Sequence, residues 1–215
     1  ALPSGPDASN VRVDTGGGVA TVHAGDSEFE VSLDDATITA WRCGDRDVLA
    51  APIRRNYWRA LTDNDRGFGN FDPRLERFAI DRSWQAPKVS VDRFTVVEGT
   101  EGVRLLFQLS SRVFRHGLMW YDFLPDGSVI AHHELTPRKD MIRLGFTMQL
   151  PDVARVRWYG KGPHENYIDR LRGAQTGIHD LPLDQLPHDY MRPQENGNHT
   201  RVRWLSATGT WGTLR

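Results

Sequence analysis

The strongest constraint in this sequence is alternation. Ile142, Leu144, Phe146, Met148 and Leu150 interleave with Arg143, Gly145, Thr147 and Gln149. Successive side chains of a strand point to opposite faces, so this spacing predicts a half-buried antiparallel strand with one apolar face. Phe29, Val31 and Leu33 alternate with Glu30 and Ser32 in the same way, and Asp34-Asp35 ends the run. Thr37 to Trp41 is β-branched and aromatic. Met119–Phe123 and Val129–Ala131 flank Leu124-Pro125-Asp126-Gly127-Ser128, where Pro presets one turn dihedral and Gly accepts a positive one, which predicts a hairpin. Helix is scarce: only Asp72–Phe78 offers an N-cap, a proline at the first helical position and a short amphipathic turn or two. Many short strands joined by Gly, Pro and Asp turns predict an all-β antiparallel sandwich, one domain over residues 20–215. Residues 1–19 are rich in Gly, Ser, Pro and Asp, end near Gly16-Gly17-Gly18, and predict a linker or flexible arm.

Composition narrows the function classes. The chain of 215 residues is long enough for one sizeable core or two small ones. Its 27 basic and 28 acidic residues leave a net charge of -1, so no basic face for a nucleic-acid partner is expected. Apolar runs are only a few residues long, which excludes a bilayer-spanning helix and predicts no membrane partner. The start, Ala1-Leu2-Pro3-Ser4, has neither the basic nor the apolar region of a secretory signal, and the missing initiator Met points to processing or excision from a longer chain. Cys43 is the only cysteine, so neither an intrachain disulfide nor a thiolate metal cluster can form; this fits a reducing compartment, and a cytoplasmic location is expected. With Gly44-Asp45-Arg46-Asp47 following and no His nearby, Cys43 reads as a small residue before a turn.

Three segments depart from plain strand-and-turn sequence: Tyr57–Gly67, Trp158–Arg170 and Arg192–Gly197. Each combines aromatic, glycine and carboxylate residues. A carbohydrate site is built from such groups, because aromatic faces stack on sugar C–H surfaces and planar polar groups hold hydroxyls. Structural loops use them too: Asp and Asn bond neighbouring amides, Gly supplies unusual dihedrals, and Arg59 or Arg170 neutralises a carboxylate. Glycoside hydrolysis needs two carboxyls about 5–10 Å apart. Glu165 with Asp169, or Asp63 with Asp65, are the nearest candidates, and both are read more simply as acceptors for local backbone. His132-His133-Glu134 puts only His132 and Glu134 on one strand face and lacks a second His four residues on, so no zinc-protease pattern results.

These segments resemble the C-terminal, small-chain domain of family 2 β-galactosidases. That family carries Trp-Arg-Ala-x-x-Asp-Asn-Asp-x-Gly, matched by Trp58, Arg59, Ala60, Asp63, Asn64, Asp65 and Gly67. Its Gly-x-Gly-Pro-x-Glu-Asn-Tyr-x-Asp-Arg is matched by Gly160, Gly162, Pro163, Glu165, Asn166, Tyr167, Asp169 and Arg170. Its Pro-x-Glu-Asn-Gly is matched by Pro193, Glu195, Asn196 and Gly197, and the order of the three is the family's order.

The resemblance implies a large sandwich of the galactose-mutarotase-like type, here without its last strands, because the family's domain continues past the position of Arg215. A late Trp of the family's sugar site would lie in that continuation, and Trp204 and Trp211 come too early to take its place. It also implies a parent enzyme that hydrolyses terminal β-D-galactosides of the lactose type with retention. The catalytic glutamates and activating Mg²⁺ would belong to a separate barrel domain of the same chain, so no catalytic residue and no cofactor transfer to this sequence. The domain would shape the sugar pocket and help assemble the subunit, with the barrel as partner. Loss of the last strands would leave a sheet edge open to self-association. Two rivals stand beside this reading: a free-standing aldose-1-epimerase, which needs a His acid and a carboxylate base, and a carbohydrate-binding module.

Overall fold

The computed structural model describes residues 11–67 and 82–215. The predicted helix at Asp72–Phe78 lies outside them, as do the first ten residues of the expected arm. Where the sequence reading makes residues 20–215 one domain, the chain forms two compact units: residues up to Trp58 together with those up to Leu150, and a second unit that begins at Arg59 and resumes at Pro151.

The first unit is an antiparallel sandwich. Its wider sheet joins β1 (Val11–Gly16), β2 (Val19–Ala24), β3 (Ser27–Ser32), β4 (Thr37–Cys43), β6 (Ala51–Asn56) and β11 (Gly145–Gln149) in that order, with the short β5 (Arg46–Asp47) beside β4. The second sheet has the order β10 (Val129–Pro137), β9 (Phe114–Phe123), β8 (Gly102–Ser111), β7 (Val89–Gly99). Period two does the sorting. Val22 pairs with Phe29 and Ala20 with Val31, all buried. On the opposing sheet Leu105 pairs with Tyr121 and Phe107 with Met119, also buried. These inner faces meet in one core, where the Phe29 and Phe123 rings lie 4.9 Å apart and Tyr121 donates its hydroxyl to the Ala36 carbonyl at 2.9 Å. Trp84, buried at the end of a short 3-10 turn, donates its indole N–H to the Asp140 carbonyl at 3.1 Å.

Several expectations hold and two change. The Leu124–Ser128 hairpin is present, with Gly127 at φ +82°. Cys43 is exposed and pairs with Arg46 across the expected turn. His132 and His133 face opposite sides: one stacks on Trp120 at 4.6 Å, the other meets the Tyr57 hydroxyl at 3.3 Å. Residues 11–16, however, are a strand rather than a loose arm. Gly17 and Gly18, at φ +59° and +81°, form the two-residue turn that returns the chain into β2. The 142–150 segment is a strand over Gly145–Gln149 paired antiparallel to β6, but its apolar side is not buried: Leu144, Phe146 and Met148 are exposed. It is the terminal strand of the wider sheet, and the Phe146 ring lies 6.2 Å from the His133 ring of β10. Alternation fixes which side a residue takes, not whether anything covers that side.

The second unit contains one four-stranded sheet, ordered β13 (Gln175–Pro182), β12 (Val153–Gly162), β14 (Trp204–Gly209), β15 (Gly212–Leu214). Val156, Trp158 and Ala207 are buried on one of its faces. The remainder is one helical turn, α1 (Asp63–Arg66), two 3-10 segments at Ile168–Gly173 and Leu183–Gln185, and irregular chain.

Phe29→Ala should test the first unit's core. Removing a fully buried ring that touches Trp41 at 5.0 Å and Phe123 at 4.9 Å is expected to cost about 3–5 kcal/mol. Urea unfolding followed by circular dichroism should show the free energy of unfolding fall by that amount.

Candidate functional site

The three sequence segments converge in the second unit. Tyr57 and Trp58 are the exceptions, the first being part of the first unit's core and the second packing against it. Thr62 caps α1: its hydroxyl accepts the Asp65 amide at 3.2 Å, and the Asp65 carboxylate accepts the Thr62 amide at 2.8 Å. This reciprocal arrangement is a capping box with Asp in place of the usual Glu. Arg59 holds both oxygens of the same carboxylate, at 2.5 and 3.1 Å. Burial alone would raise the Asp65 carboxyl, but the bonds from Arg59 and Thr62 outweigh it and hold the group below its ordinary range. Gly67 closes the turn at φ +54°, donating its amide to the Asp63 carbonyl at 2.8 Å.

Two contacts join this turn to the other segments. Asn64 donates to the Asp169 carboxylate at 2.6 Å. Gln194 accepts the Asp63 amide at 3.2 Å and donates to the Asp63 carboxylate at 3.1 Å.

Glu165 is the centre of the second segment. Its side chain is only 6% exposed, and it accepts from Arg170, from the Tyr190 hydroxyl and, at 2.8 Å, from the Gly197 amide. Burial pushes this carboxyl up, and the bonds from Tyr190, Gly197 and Arg170 more than reverse the effect, leaving it below its ordinary range. Arg170 also donates to Tyr190 at 2.6 Å and lies 5.1 Å over the Tyr167 ring. The Tyr167 hydroxyl is pushed up to about 12 by burial and by the nearby Glu165 and Glu195 carboxylates.

Asn166, 1% exposed, is fully engaged: it donates to the His164 carbonyl at 3.1 Å and accepts the Thr200 amide at 3.0 Å and the Thr200 hydroxyl. Its own amide donates to the Asn198 carbonyl at 2.7 Å. Asn196 accepts the His188 amide at 2.9 Å and donates back to the His188 carbonyl. Pro193 joins Gln194 to Arg192 in the same stretch.

The glycines of this motif are fixed by contact. A Cβ on Gly160 would lie 2.8 Å from the Val202 backbone, and one on Gly162 would lie 2.7 Å from the His179 ring and 2.9 Å from Trp158. Trp158 therefore sits under the segment, between His179 at 5.2 Å and His199 at 4.5 Å. Gly162 and Pro163 are joined by a cis peptide.

The sequence motifs thus supply most of the network but not Tyr190, Gln194, Asn198 or Thr200. Only Thr62 carried a legible signal, the Thr-x-x-Asp spacing of a cap. Among the described residues no group of three or more His, Cys, Asp or Glu side chains could hold a metal ion.

Because the carboxyls of Glu165 and Asp65 are depressed in the folded state, their stabilisation is complete above the unfolded pKa values, 4.5 and 3.8, and is lost as pH falls through the folded ones. This contribution should stay constant from pH 7 to about pH 5 and be lost below it, less steeply in Glu165→Gln; the thermal midpoint itself should begin to fall below about pH 6.5, because burial holds His133, pushed down to about 4, and His199 below their ordinary value while the unfolded chain takes up their protons. Arg170→Ala should lower stability by about 1–2 kcal/mol, below the 3–5 of a fully buried pair, because Arg170 is 50% exposed and Tyr190 and Gly197 still serve Glu165.

A sequence model of the family described as "Beta galactosidase small chain" matches residues 23–212. The β-galactosidase of Priestia megaterium is 32% identical over 174 residues, 77% of this chain and 16% of that protein. The β-galactosidase of Vibrio cholerae is 28% identical over 197 residues, 86% of this chain and 19% of that protein. That of Arthrobacter sp. is 31% identical over 182 residues, 73% and 17% respectively. The chain spans less than a fifth of the length of these relatives. Its three motifs, the network they build and the match over nearly its whole length have one reading: the chain belongs to the β-galactosidase small-chain family.

Proposed function

We propose that this chain is the non-catalytic C-terminal domain of a polypeptide that hydrolyses terminal β-D-galactosides, where it completes the wall of the sugar pocket and helps assemble the subunit. The observation that carries the reading is the state of the motif carboxylates. Hydrolysis requires one carboxyl that gives a proton to the leaving oxygen and a second that attacks or activates water. Asp65 and Glu165 are both held below the ordinary range by donors on their oxygens, so at neutral pH neither has a proton to give. Asp63 is held by Gln194 and Asp169 by Asn64. Groups bound in this way position loops.

The catalytic acid, the nucleophile and the Mg²⁺ of the family are assigned to a barrel domain elsewhere in the polypeptide, with which this chain is the partner. Its own contribution is a preformed wall. Segments from residues 59–67, 160–170 and 190–200 are bonded to one another before any sugar arrives, which lowers the ordering cost of binding.

The intact polypeptide should hydrolyse a chromogenic β-galactoside, and the purified 215-residue chain should not. Arg59→Ala in the intact polypeptide should raise KM several-fold and change kcat little, because wall contacts act on binding. Hydrolysis by the chain alone that disappears in Glu165→Gln or Asp65→Asn would overturn the reading.

A further inference from the structure

Asn196 is the only asparagine in the sequence that glycine follows, and the pair lies in irregular chain. Such a pair carries a chemistry of its own. The amide nitrogen of the second residue can attack the side-chain carbonyl of the first, and glycine, with no Cβ, leaves the approach unhindered. The nitrogen gives up its proton, a bond forms from it to Cγ, the Cγ–Nδ2 bond breaks and ammonia leaves. Water then opens the cyclic imide at either carbonyl and gives aspartate or isoaspartate. No oxidant, metal or second protein takes part.

In the folded chain both reacting groups are tied. The Gly197 amide, the nucleophile, donates to Glu165 Oε2 at 2.8 Å. The Asn196 side-chain carbonyl, the electrophile, accepts the His188 amide at 2.9 Å, and Nδ2, the leaving group, donates to the His188 carbonyl. Two residues on from His188, Tyr190 donates its hydroxyl to the other oxygen of Glu165. One carboxylate therefore fixes the nucleophile directly and the electrophile through the 188–190 stretch. Glu165 is no base for the reaction, because its donors hold the carboxyl below its ordinary range and it is too weak to take a proton from an amide. Removing that proton in place would also set an anionic nitrogen 2.8 Å from a carboxylate whose side chain is 6% exposed, and like charges repel strongly where water is nearly excluded.

We infer that Asn196 is a covalent modification site, a self-deamidating asparagine kept unreactive by the Glu165 network, and that its conversion makes opening of that network irreversible. Either product fails to close again. A carboxylate at 196 turns an acceptor toward the His188 carbonyl where the amide had turned a donor, so the bond is lost and two acceptors face each other. It also adds a negative charge next to Glu195 and one residue from the amide that binds Glu165. Isoaspartate further inserts a methylene into the backbone just before Gly197, which the turn holds at φ +74°. Asn198, two residues on, provides an internal comparison: His199 follows it, and its side chain donates to the Asn166 carbonyl at 2.7 Å. The rate at Asn196 is then set by how often the network opens, as for any modification confined to an open state.

The test incubates the intact polypeptide in mildly alkaline buffer, folded or in urea, and follows Asn196 by mass spectrometry of the tryptic peptide that ends at Arg201. Conversion to aspartate and isoaspartate should be at least tenfold faster in urea than in the folded state, and faster there than at Asn198. Gly197→Ala in urea should slow it at least tenfold, because a Cβ hinders the attack. In the folded polypeptide Glu165→Gln should speed it at least fivefold, since a neutral amide no longer opposes loss of the Gly197 proton. Arg170→Ala loosens the same network but keeps the carboxylate beside Gly197, so at an equal loss of thermal midpoint it should speed conversion less. Material converted in urea and then refolded should melt lower than unconverted material, and Asn196→Asp should reproduce that loss. No conversion at Asn196 in urea overturns the site. Conversion as fast in the folded state as in urea, or no faster in Glu165→Gln than in Arg170→Ala, overturns the protecting role of Glu165. An unchanged midpoint after conversion overturns the irreversible step. None of these readouts involves galactoside hydrolysis, so the inference and the proposed function fail separately.

Discussion

A nearly buried carboxylate cannot be left without partners, and most of the second unit follows from how Glu165 is supplied with them. Water is almost excluded from its side chain, so each acceptor position must be met by a fixed donor. Arg170 comes from the adjoining 3-10 segment, Tyr190 from irregular chain beyond it, and the Gly197 amide from the third motif. Satisfying one group therefore pins three stretches, none of which is a strand or an α-helix. Asn166 repeats the logic one residue along by bonding the Asn198 and Thr200 backbone, and Asp65 does so for the 59–67 segment.

The two units reach order by different means. In the first, apolar side chains chosen by strand parity interlock between two sheets, and polar contacts such as Tyr121 to the Ala36 carbonyl only finish the job. In the second, the buried apolar set is small and side chain to backbone bonds carry the irregular part. A polar network of this kind tolerates substitution poorly, since deleting one donor strands a desolvated acceptor. That is a physical reason for its residues to recur as strings of Gly, Asn, Glu and Arg at fixed spacing, a pattern that an apolar core does not need.

What could be read in advance follows the same division. Phe29 and Val31 announced a core strand because period two is a local property. So did the turn at Gly127, where a positive φ demands glycine. The exposed flank at Leu144, Phe146 and Met148 was not legible, because what packs on a face is not a local property of its strand. Gly16-Gly17-Gly18 misled because the composition of a flexible arm and that of a tight hairpin turn coincide. At the site, motif residues such as Asn64, Glu165 and Arg170 stood out by composition and by resemblance. Tyr190, Gln194 and Thr200 did not, since a loop partner has no periodicity to betray it.

The second unit is also discontinuous in the chain, and this bears on the order in which the protein can assemble. Asn64 and Asp169 are 105 residues apart, and Asp63 and Gln194 are 131 apart. The whole of the intervening first-unit sequence, from residue 82 to Leu150, is threaded between them. Closing so long a loop through flexible chain carries an entropic penalty that grows with its length, and contacts of such high separation form late. Once the intervening strands have collapsed into their own core, the effective loop is far shorter. The first unit thus acts as a scaffold in time as well as in sequence: during synthesis, the segment at 59–67 must wait, unpaired, until more than a hundred further residues have emerged to meet it.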